Sequence, residues 1–170
     1  IGQIYDSNRF SLAGMLQKIG VEIIDLGIIP DDPIMLKERL GNASSSSDVL
    51  ITTGGVSVGE RDYMKTVLNE IGKIFFWKIK IKPGRPFTFG NIDECMYFGL
   101  PGNPVSSMVT FSQFVMPSLI KLSGATPQET FFLPAKAAVA IRKIKGRTEY
   151  QRGTYEKKQN GSFWVKPTAN

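Results

Sequence analysis

Two glycine-containing stretches in this sequence follow short apolar segments and could bind an anion. The first is Gly54-Gly55, which comes directly after the β-branched segment Val49–Thr53. The second is Pro101-Gly102-Asn103-Pro104, which comes after the apolar segment Cys95–Leu100. Glycine lets the backbone turn sharply and approach a ligand, and the helix expected after each stretch presents free amides. For the first stretch, a tight turn without a ligand is the alternative interpretation.

Polar side chains accompany these glycines. Ser57, Gly59 and Asp62 continue the first stretch, and Asp62 is predicted to cap a helix that begins at Tyr63. Asp31 follows a second predicted strand, so it should lie at the same edge of a parallel sheet. Two glycine loops on one sheet edge, each leading into a helix, would form a two-lobed anion site.

Lysines alternate with apolar residues along a predicted strand from Ile74 to Ile81. Lys78, Lys80 and Lys82 should fall on one face of this strand, since successive side chains point to opposite faces. Three lysines on one face either bind an anion or are simply solvated, and their spacing leaves both interpretations open.

The elements that position these residues alternate between helix and strand, which predicts a parallel sheet covered on both faces. The predicted helices begin at Asp6 or Ser7, at Asp32-Pro33, at Tyr63 and near Ser106, and the predicted strands are Val21–Ile29, Val49–Thr53, Ile74–Ile81 and Cys95–Leu100. The last helix should reach about Leu122 and kink or split at Pro117.

After a linker at residues 124–130, the pattern changes to the alternation of antiparallel strands. The segments concerned are Lys136–Arg142, Thr148–Lys157, a turn at Gln159-Asn160-Gly161, and Phe163–Lys166. We therefore expect an α/β domain over residues 1–124 and an incomplete β domain over residues 125–170.

Composition narrows the class of function. The net charge of +6 favours an anionic partner, but no basic run interleaved with aromatics indicates nucleic acid. No apolar run predicts a membrane span, and histidine is absent, which excludes most zinc sites and nucleophile–base triads. The single cysteine, Cys95, suits a reducing cytoplasm and is predicted to be a small core residue. The start at Ile1 suggests a piece of a longer protein.

Several ordered motifs closely resemble the molybdopterin molybdenumtransferase family, to which gephyrin's C-terminal domain also belongs. They are Gly2–Asn8, Gly27–Asp32, Thr53–Gly59 with Asp62-Tyr63, Lys82-Pro83-Gly84-Arg85-Pro86 and Gly99–Ser106. The resemblance implies a three-layer α/β/α molybdopterin-binding domain with a mostly parallel sheet, followed by the start of a small β-barrel. It implies a cytoplasmic homodimer that contacts the molybdopterin adenylyltransferase and neither nucleic acid nor membrane.

The family reaction inserts molybdate into adenylylated molybdopterin and releases AMP with the help of magnesium. By motif match, Asp31 and Asp62 resemble the catalytic carboxylates that hold the metal, and Lys78 and Lys82 resemble the catalytic cations near the oxyanion. The residues implied to bind the ligand are Thr53, Gly54, Gly55, Ser57, Gly59, Arg85, Pro86, Pro101, Gly102, Asn103 and Ser106.

Some features depart from the family pattern. A Thr-Gly-Asp-Glu strand is expected before Gly2, together with further domains, so the 170 residues should be inactive alone. Arg85 stands where lysine is common, and either Arg147 or Arg152 could be the basic contribution of the β domain. The alternatives are an adenylyltransferase of the same fold and a gephyrin-like scaffold that binds peptides.

Overall fold

The computed structural model describes residues 5–55, 63–127 and 131–168. Its helices are α1 (Ser7–Gln17), α2 (Pro33–Ser44), α3 (Tyr63–Ile71), α4 (Pro104–Thr110) and α5 (Met116–Leu122). Its strands are β1 (Val49–Thr53), β2 (Lys73–Phe76), β3 (Ile81–Lys82), β4 (Thr88–Ile92), β5 (Cys95–Leu100), β6 (Ala135–Ala137), β7 (Thr148–Glu149), β8 (Gly153–Lys157) and β9 (Phe163–Pro167). None of the described helices is long and apolar enough to cross a membrane.

A sheet with the strand order β1-β5-β4-β2 separates two apolar clusters. From β5, Cys95 and Tyr97 pack in one cluster with side chains of α2 and α3. Phe98 and Leu100 of the same strand pack in the other cluster, with side chains of α1 and of the helical segment after β5. Successive residues of a strand point to opposite faces, so one apolar strand serves both cores. The predicted three-layer α/β/α fold is confirmed.

The sheet is mixed. β1 and β5 are parallel, whereas β5 pairs antiparallel with β4 and β4 pairs antiparallel with β2. The β4–β5 connection is a tight turn at Asp93-Glu94, in which Asp93 has a φ of 50°. Aspartate tolerates this left-handed conformation better than most residues. The sequence predicts no strand at β4, because this turn contains no glycine or proline.

The predicted strand Val21–Ile29 is wrong, since these residues form neither helix nor strand. Their backbone is held by side chains of the neighbouring helices: Arg39 Nη2 donates to the Leu26 carbonyl at 2.9 Å, and Arg9 Nη1 lies 3.7 Å from Asp25. Leu26 and Ile29 pack against the cluster that contains α2 and α3. Apolar side chains of this segment are therefore partly buried although the segment has no strand partner.

The predicted strand Ile74–Ile81 is broken into β2 and β3, which join different sheets. The helix predicted to kink or split at Pro117 is helical throughout, with a π-helical turn at Phe111–Val115 between α4 and α5 and Pro117 in the first turn of α5. Proline lacks an amide hydrogen and cannot continue the hydrogen-bond pattern of the preceding turn, and the π-helical turn lies directly before it.

The C-terminal strands agree with the prediction only in part. β8 and β9 form the expected antiparallel hairpin, with Gly161 in the turn at a φ of 81°. In contrast to the antiparallel prediction, β6 pairs parallel with β9, and β7 pairs parallel with β3. The domain boundary at residue 124 and the barrel remain predictions.

Candidate functional site

The first glycine loop begins where β1 ends. Gly54 and Gly55 have φ values of 80° and 69°, a conformation that is strained for residues with a side chain. The Gly54 amide donates to the Leu100 carbonyl of β5 at 3.2 Å, which holds the loop against the end of the neighbouring strand. Ser57, Gly59 and Asp62 lie outside the described residues, so their predicted roles remain predictions.

The second glycine loop leads into a helix, as predicted, and this helix is capped. Asn103 is the N-cap of α4, and its Oδ1 accepts hydrogen bonds from the Ser106 amide at 3.1 Å and the Ser106 hydroxyl at 3.3 Å. Pro104 occupies the first turn, where its missing amide hydrogen leaves no unmet bond. Gly102 and Asn103 are exposed, while Ser106 is buried. The exposed backbone at this loop is therefore open to a ligand.

Hydrogen bonds join the two loops. The Thr53 hydroxyl, at the end of β1, donates to the Pro101 carbonyl at 3.2 Å. Asn8 Nδ2, in the first turn of α1, donates to the Thr53 hydroxyl at 2.8 Å and to the Gly102 carbonyl at 2.9 Å. The two loops predicted to share one sheet edge are thus connected, as the parallel pairing of β1 and β5 requires.

Asn8 was missed as a candidate by the sequence analysis. It is 8% exposed and lies one helical turn before Leu12, which is also buried. A polar residue on the apolar stripe of a helix is a detectable signal, because a buried amide needs hydrogen-bond partners.

The lysine segment alternates as predicted. Lys78, Lys80 and Lys82 are exposed, whereas Ile79 is partly buried and Ile81 is buried. No ion pair links these lysines to a carboxylate of the residues that the structure describes. Three cations in this arrangement repel one another, and a bound anion would offset that repulsion.

The segment that follows these lysines packs on α4. The Ile79 amide donates to the Arg85 carbonyl at 3.0 Å and closes a loop. Within this loop Gly84 has a φ of 103°, and a Cβ there would lie 2.6 Å from Thr110 Cγ2 and 3.6 Å from the Ser106 carbonyl oxygen. Only glycine allows this approach. The exposed Arg85 is thereby held beside the helix that begins at the second glycine loop.

Asp31 is exposed and directly precedes α2, in which Asp32 is the N-cap and accepts from the Met35 amide at 2.8 Å. Its predicted position at the sheet edge depended on the strand Val21–Ile29, which the structure does not contain. The pairing of Asp31 with Asp62 remains a prediction, because Asp62 is outside the described residues. Within those residues, no group of three acidic or cysteine ligands could hold a metal.

The C-terminal segment reaches the lysines through β7. The Thr148 amide donates to the Lys80 carbonyl at 2.9 Å, and the Tyr150 amide to the Lys82 carbonyl at 2.8 Å. Arg147 is therefore next in sequence to Thr148, which is bonded to the lysine segment. The Nε of Arg147 lies 3.7 Å from Glu149 Oε1. Arg152 is exposed, and its carbonyl accepts from the Thr168 amide at 3.0 Å. The choice between the two arginines stays open.

Cys95 is a core residue, as predicted, and it is 2% exposed. Burial raises the pKa of its thiol, and the nearby Asp48 acts in the same direction, against a hydrogen bond from Ser47. A buried, protonated thiol is a poor nucleophile, so Cys95 takes no part in the candidate site.

Comparison with known proteins agrees with this geometry. Residues 1–121 match the family described as a probable molybdopterin binding domain. The chain is 45% identical over 165 residues to the molybdopterin molybdenumtransferase of Haemophilus influenzae, covering 96% of this chain and 41% of that protein. It is 40% identical to the gephyrin of Dictyostelium discoideum, covering 91% of this chain and 26% of that protein.

A solved structure has the same fold. The crystal structure of the molybdopterin biosynthesis MoeA protein from Pyrococcus horikoshii aligns with a TM-score of 0.77 and 27% identity, and covers 98% of this chain and 40% of that one. The chain therefore spans less than half the length of each of these relatives.

Proposed function

The chain belongs to the family of probable molybdopterin-binding domains, and from this premise we propose that it is part of a molybdopterin molybdenumtransferase. The reaction takes adenylylated molybdopterin and molybdate. Water cleaves the phosphoanhydride and releases AMP, while the two thiols of the ligand replace one molybdate oxygen, which leaves as water. The oxidation state of molybdenum does not change, so no redox partner is required.

One observation supports this proposal most strongly: hydrogen bonds connect the two glycine loops, and the helix that follows the second loop contacts a segment with several exposed cations. The ligand carries phosphate groups and reacts with a dianion, so it needs both free amides and positive charge. The loops supply exposed backbone at Gly55 and Gly102, and the exposed cations are Lys78, Lys80, Lys82 and Arg85. No thiol of the protein is required, in keeping with the buried Cys95.

We assign roles to these residues by their chemistry. The amides of the glycine loops bind the phosphate and pterin part of the ligand, and Thr53, Pro101, Asn103 and Ser106 hold those loops in place. Lys78, Lys82 and Arg85 with Pro86 form the molybdate side of the site. Ser57 and Gly59 are assigned to the same ligand because they follow the first glycine stretch in the sequence.

Magnesium is the cofactor that the proposal requires. It binds through one or two carboxylates together with substrate oxygens and water, so a single exposed carboxylate fits this mode. Asp31 is such a group, and Asp62 is the second ligand that we assign. When bound, the metal would neutralise charge on the phosphates during cleavage of the anhydride.

The complete protein is proposed to act as a cytoplasmic homodimer. It would receive its substrate from the molybdopterin adenylyltransferase, since an adenylylated ligand must be made by an enzyme that transfers the adenylyl group. A single cysteine in 170 residues suits a reducing compartment.

The test uses the full-length protein that contains this chain, with adenylylated molybdopterin, molybdate and magnesium. AMP release that depends on molybdate, together with molybdenum bound to the product, supports the transferase. If the protein instead adenylylates molybdopterin with ATP and does not use the preformed adenylate, it is the adenylyltransferase. If an Asp62→Ala strain keeps normal cofactor synthesis and the protein retains a peptide ligand, it is a scaffold.

A further inference from the structure

The side chain of Asn8 connects three separate parts of the chain. Its Nδ2 donates to the Thr53 hydroxyl at the end of β1 and to the Gly102 carbonyl in the loop after β5, at 2.8 and 2.9 Å. Thr53 in turn donates to the Pro101 carbonyl at 3.2 Å. Two consecutive carbonyls of the second glycine loop are thus bound by one network that starts in α1.

The chemistry of the network requires an amide at position 8. The Gly102 carbonyl can only accept, so the atom facing it must be a donor. One nitrogen with two hydrogens then satisfies both Gly102 and Thr53. Aspartate has the same shape, but an ionised carboxylate has no donor and would be repelled by the carbonyl.

The side-chain oxygen of Asn8, Oδ1, bears on why an asparagine occupies this position. Oδ1 is buried and has no hydrogen-bond partner within the part of the chain that the structure describes. A buried acceptor without a partner is destabilising, and an apolar residue beside Leu12 would pack there without it. Among the described residues, the contacts that asparagine makes here are the two hydrogen bonds donated by Nδ2.

We propose that Asn8 is a positioning residue of the molybdopterin site, and that it fixes the spacing between the two glycine loops. This proposal rests on the proposed function. The network holds the backbone at Gly54 and Gly102, where a Cβ on Gly102 would already lie 3.6 Å from the Gly54 Cα. At this distance a small separation of the loops changes which amides can reach one ligand.

The test compares Asn8→Asp and Asn8→Ala with two variants of its partner. Thr53→Val removes the hydroxyl, whereas Thr53→Ser keeps it and should retain more activity than Thr53→Val. Asn42→Asp is the matched control, because Asn42 is exposed on α2 and the chemical change is identical. All variants are assayed well below their melting temperatures, so that activity per folded molecule is measured.

In the full-length protein, Asn8→Asp should lower kcat/KM for AMP release by about tenfold or more, as expected when reacting groups are misplaced. Asn8→Ala and Thr53→Val should each lower kcat/KM. The double variant should have a kcat/KM no lower than that of the less active single variant, because both changes break the same network. Asn42→Asp should behave like the wild type, and Thr53→Ser should lose less activity than Thr53→Val. Multiplying effects in the double variant, or normal turnover in a folded Asn8→Asp protein, would overturn the proposal.

Hydrogen exchange separates this proposal from the proposed function. In the 170-residue chain, Asn8→Asp should speed exchange of the Gly54 amide, which bonds to Leu100, while the Phe89 amide in the sheet interior stays unchanged. If the wild-type parent inserts no molybdenum, the proposed function fails, yet faster exchange at Gly54 alone still supports the spacing role. Equal exchange at Gly54 in the variant and the wild type refutes that role whatever the activity.

Discussion

Replacing Gly84 with alanine should destabilise the protein at the loop that carries Lys82 and Arg85. Gly84 is buried at a φ of 103°, and its missing side chain leaves room for the helix α4. A Cβ would lie 2.6 Å from Thr110 Cγ2 and 3.1 Å from Ile81 Cδ1, closer than carbon atoms can approach without displacement. Thr110 cannot easily move, because its hydroxyl donates to the Ser106 carbonyl at 2.9 Å.

The expected loss is the sum of two effects. A residue with a side chain in this backbone conformation costs about 1–2 kcal/mol, and forcing an extra methyl into a packed site costs about 1–3 kcal/mol. Gly84→Ala should therefore lower the free energy of unfolding by roughly 2–5 kcal/mol. Gly146→Ala isolates the cost of the backbone conformation, because Gly146 has a φ of 97° and a Cβ there would meet nothing within 4 Å. Gly146→Ala should lose only about 1–2 kcal/mol.

The measurement is equilibrium unfolding of the 170-residue chain in urea, followed by tryptophan fluorescence. Thr110→Ser removes Cγ2 but keeps the hydroxyl, so adding Gly84→Ala to a Thr110→Ser protein should cost less than adding it to the wild type. Gly14→Ala, in the interior of α1 with free space around it, should stabilise the chain by about 0.5–1 kcal/mol. The packing argument is refuted if Gly84→Ala loses no more than Gly146→Ala, or if Thr110→Ser brings no relief.

Three further outcomes are expected. In the full-length protein, Asp62→Asn should still bind adenylylated molybdopterin but release almost no AMP, and raised molybdate should not restore it; rescue by molybdate would contradict the metal role. Lys82→Ala should raise the molybdate concentration for half-maximal turnover by about tenfold, because one charged contact is lost. High molybdate should restore turnover. Unchanged molybdate dependence would contradict this. Because burial raises the pKa of the Cys95 thiol above its ordinary 9.0, the folded state holds that proton more tightly. The contribution of this thiol to the free energy of unfolding should be fully present below pH 9 and should be lost as the pH rises above it. Urea unfolding of Cys95→Ala should lack this loss.

Local chemistry made part of the fold predictable. Asp32 followed by Pro33 and Asn103 followed by Pro104 both predict a helix start, and both form N-caps with the side chain bonded to an amide three residues ahead. A cap depends on a few neighbouring residues, so its signal is contained in a short stretch of sequence. The same is true of the β8–β9 turn at Gly161.

Features that depend on distant partners were less predictable. The segment Val21–Ile29 has the apolar pattern of a strand, but a strand also requires a neighbour to which it can hydrogen-bond. Conversely, β4 became a strand because β5 lies beside it, although its turn at Asp93 carries no strong signal. Asn8 belongs to this class, since its two partners lie 45 and 94 residues away in the sequence.

The lysine segment shows how the structure adds to a pattern that left two interpretations open. Solvated lysines need no special backbone, whereas this segment is bonded on several sides: Ile79 to Arg85, and the carbonyls of Lys80 and Lys82 to amides at Thr148 and Tyr150. Such bonds fix the backbone while leaving the charged side chains exposed. Water and salt screen the repulsion between exposed like charges, and a bound anion would offset it further. The structure thus fixes the backbone from which these lysines project, and Lys82→Ala is the variant that decides between an anion site and solvated side chains.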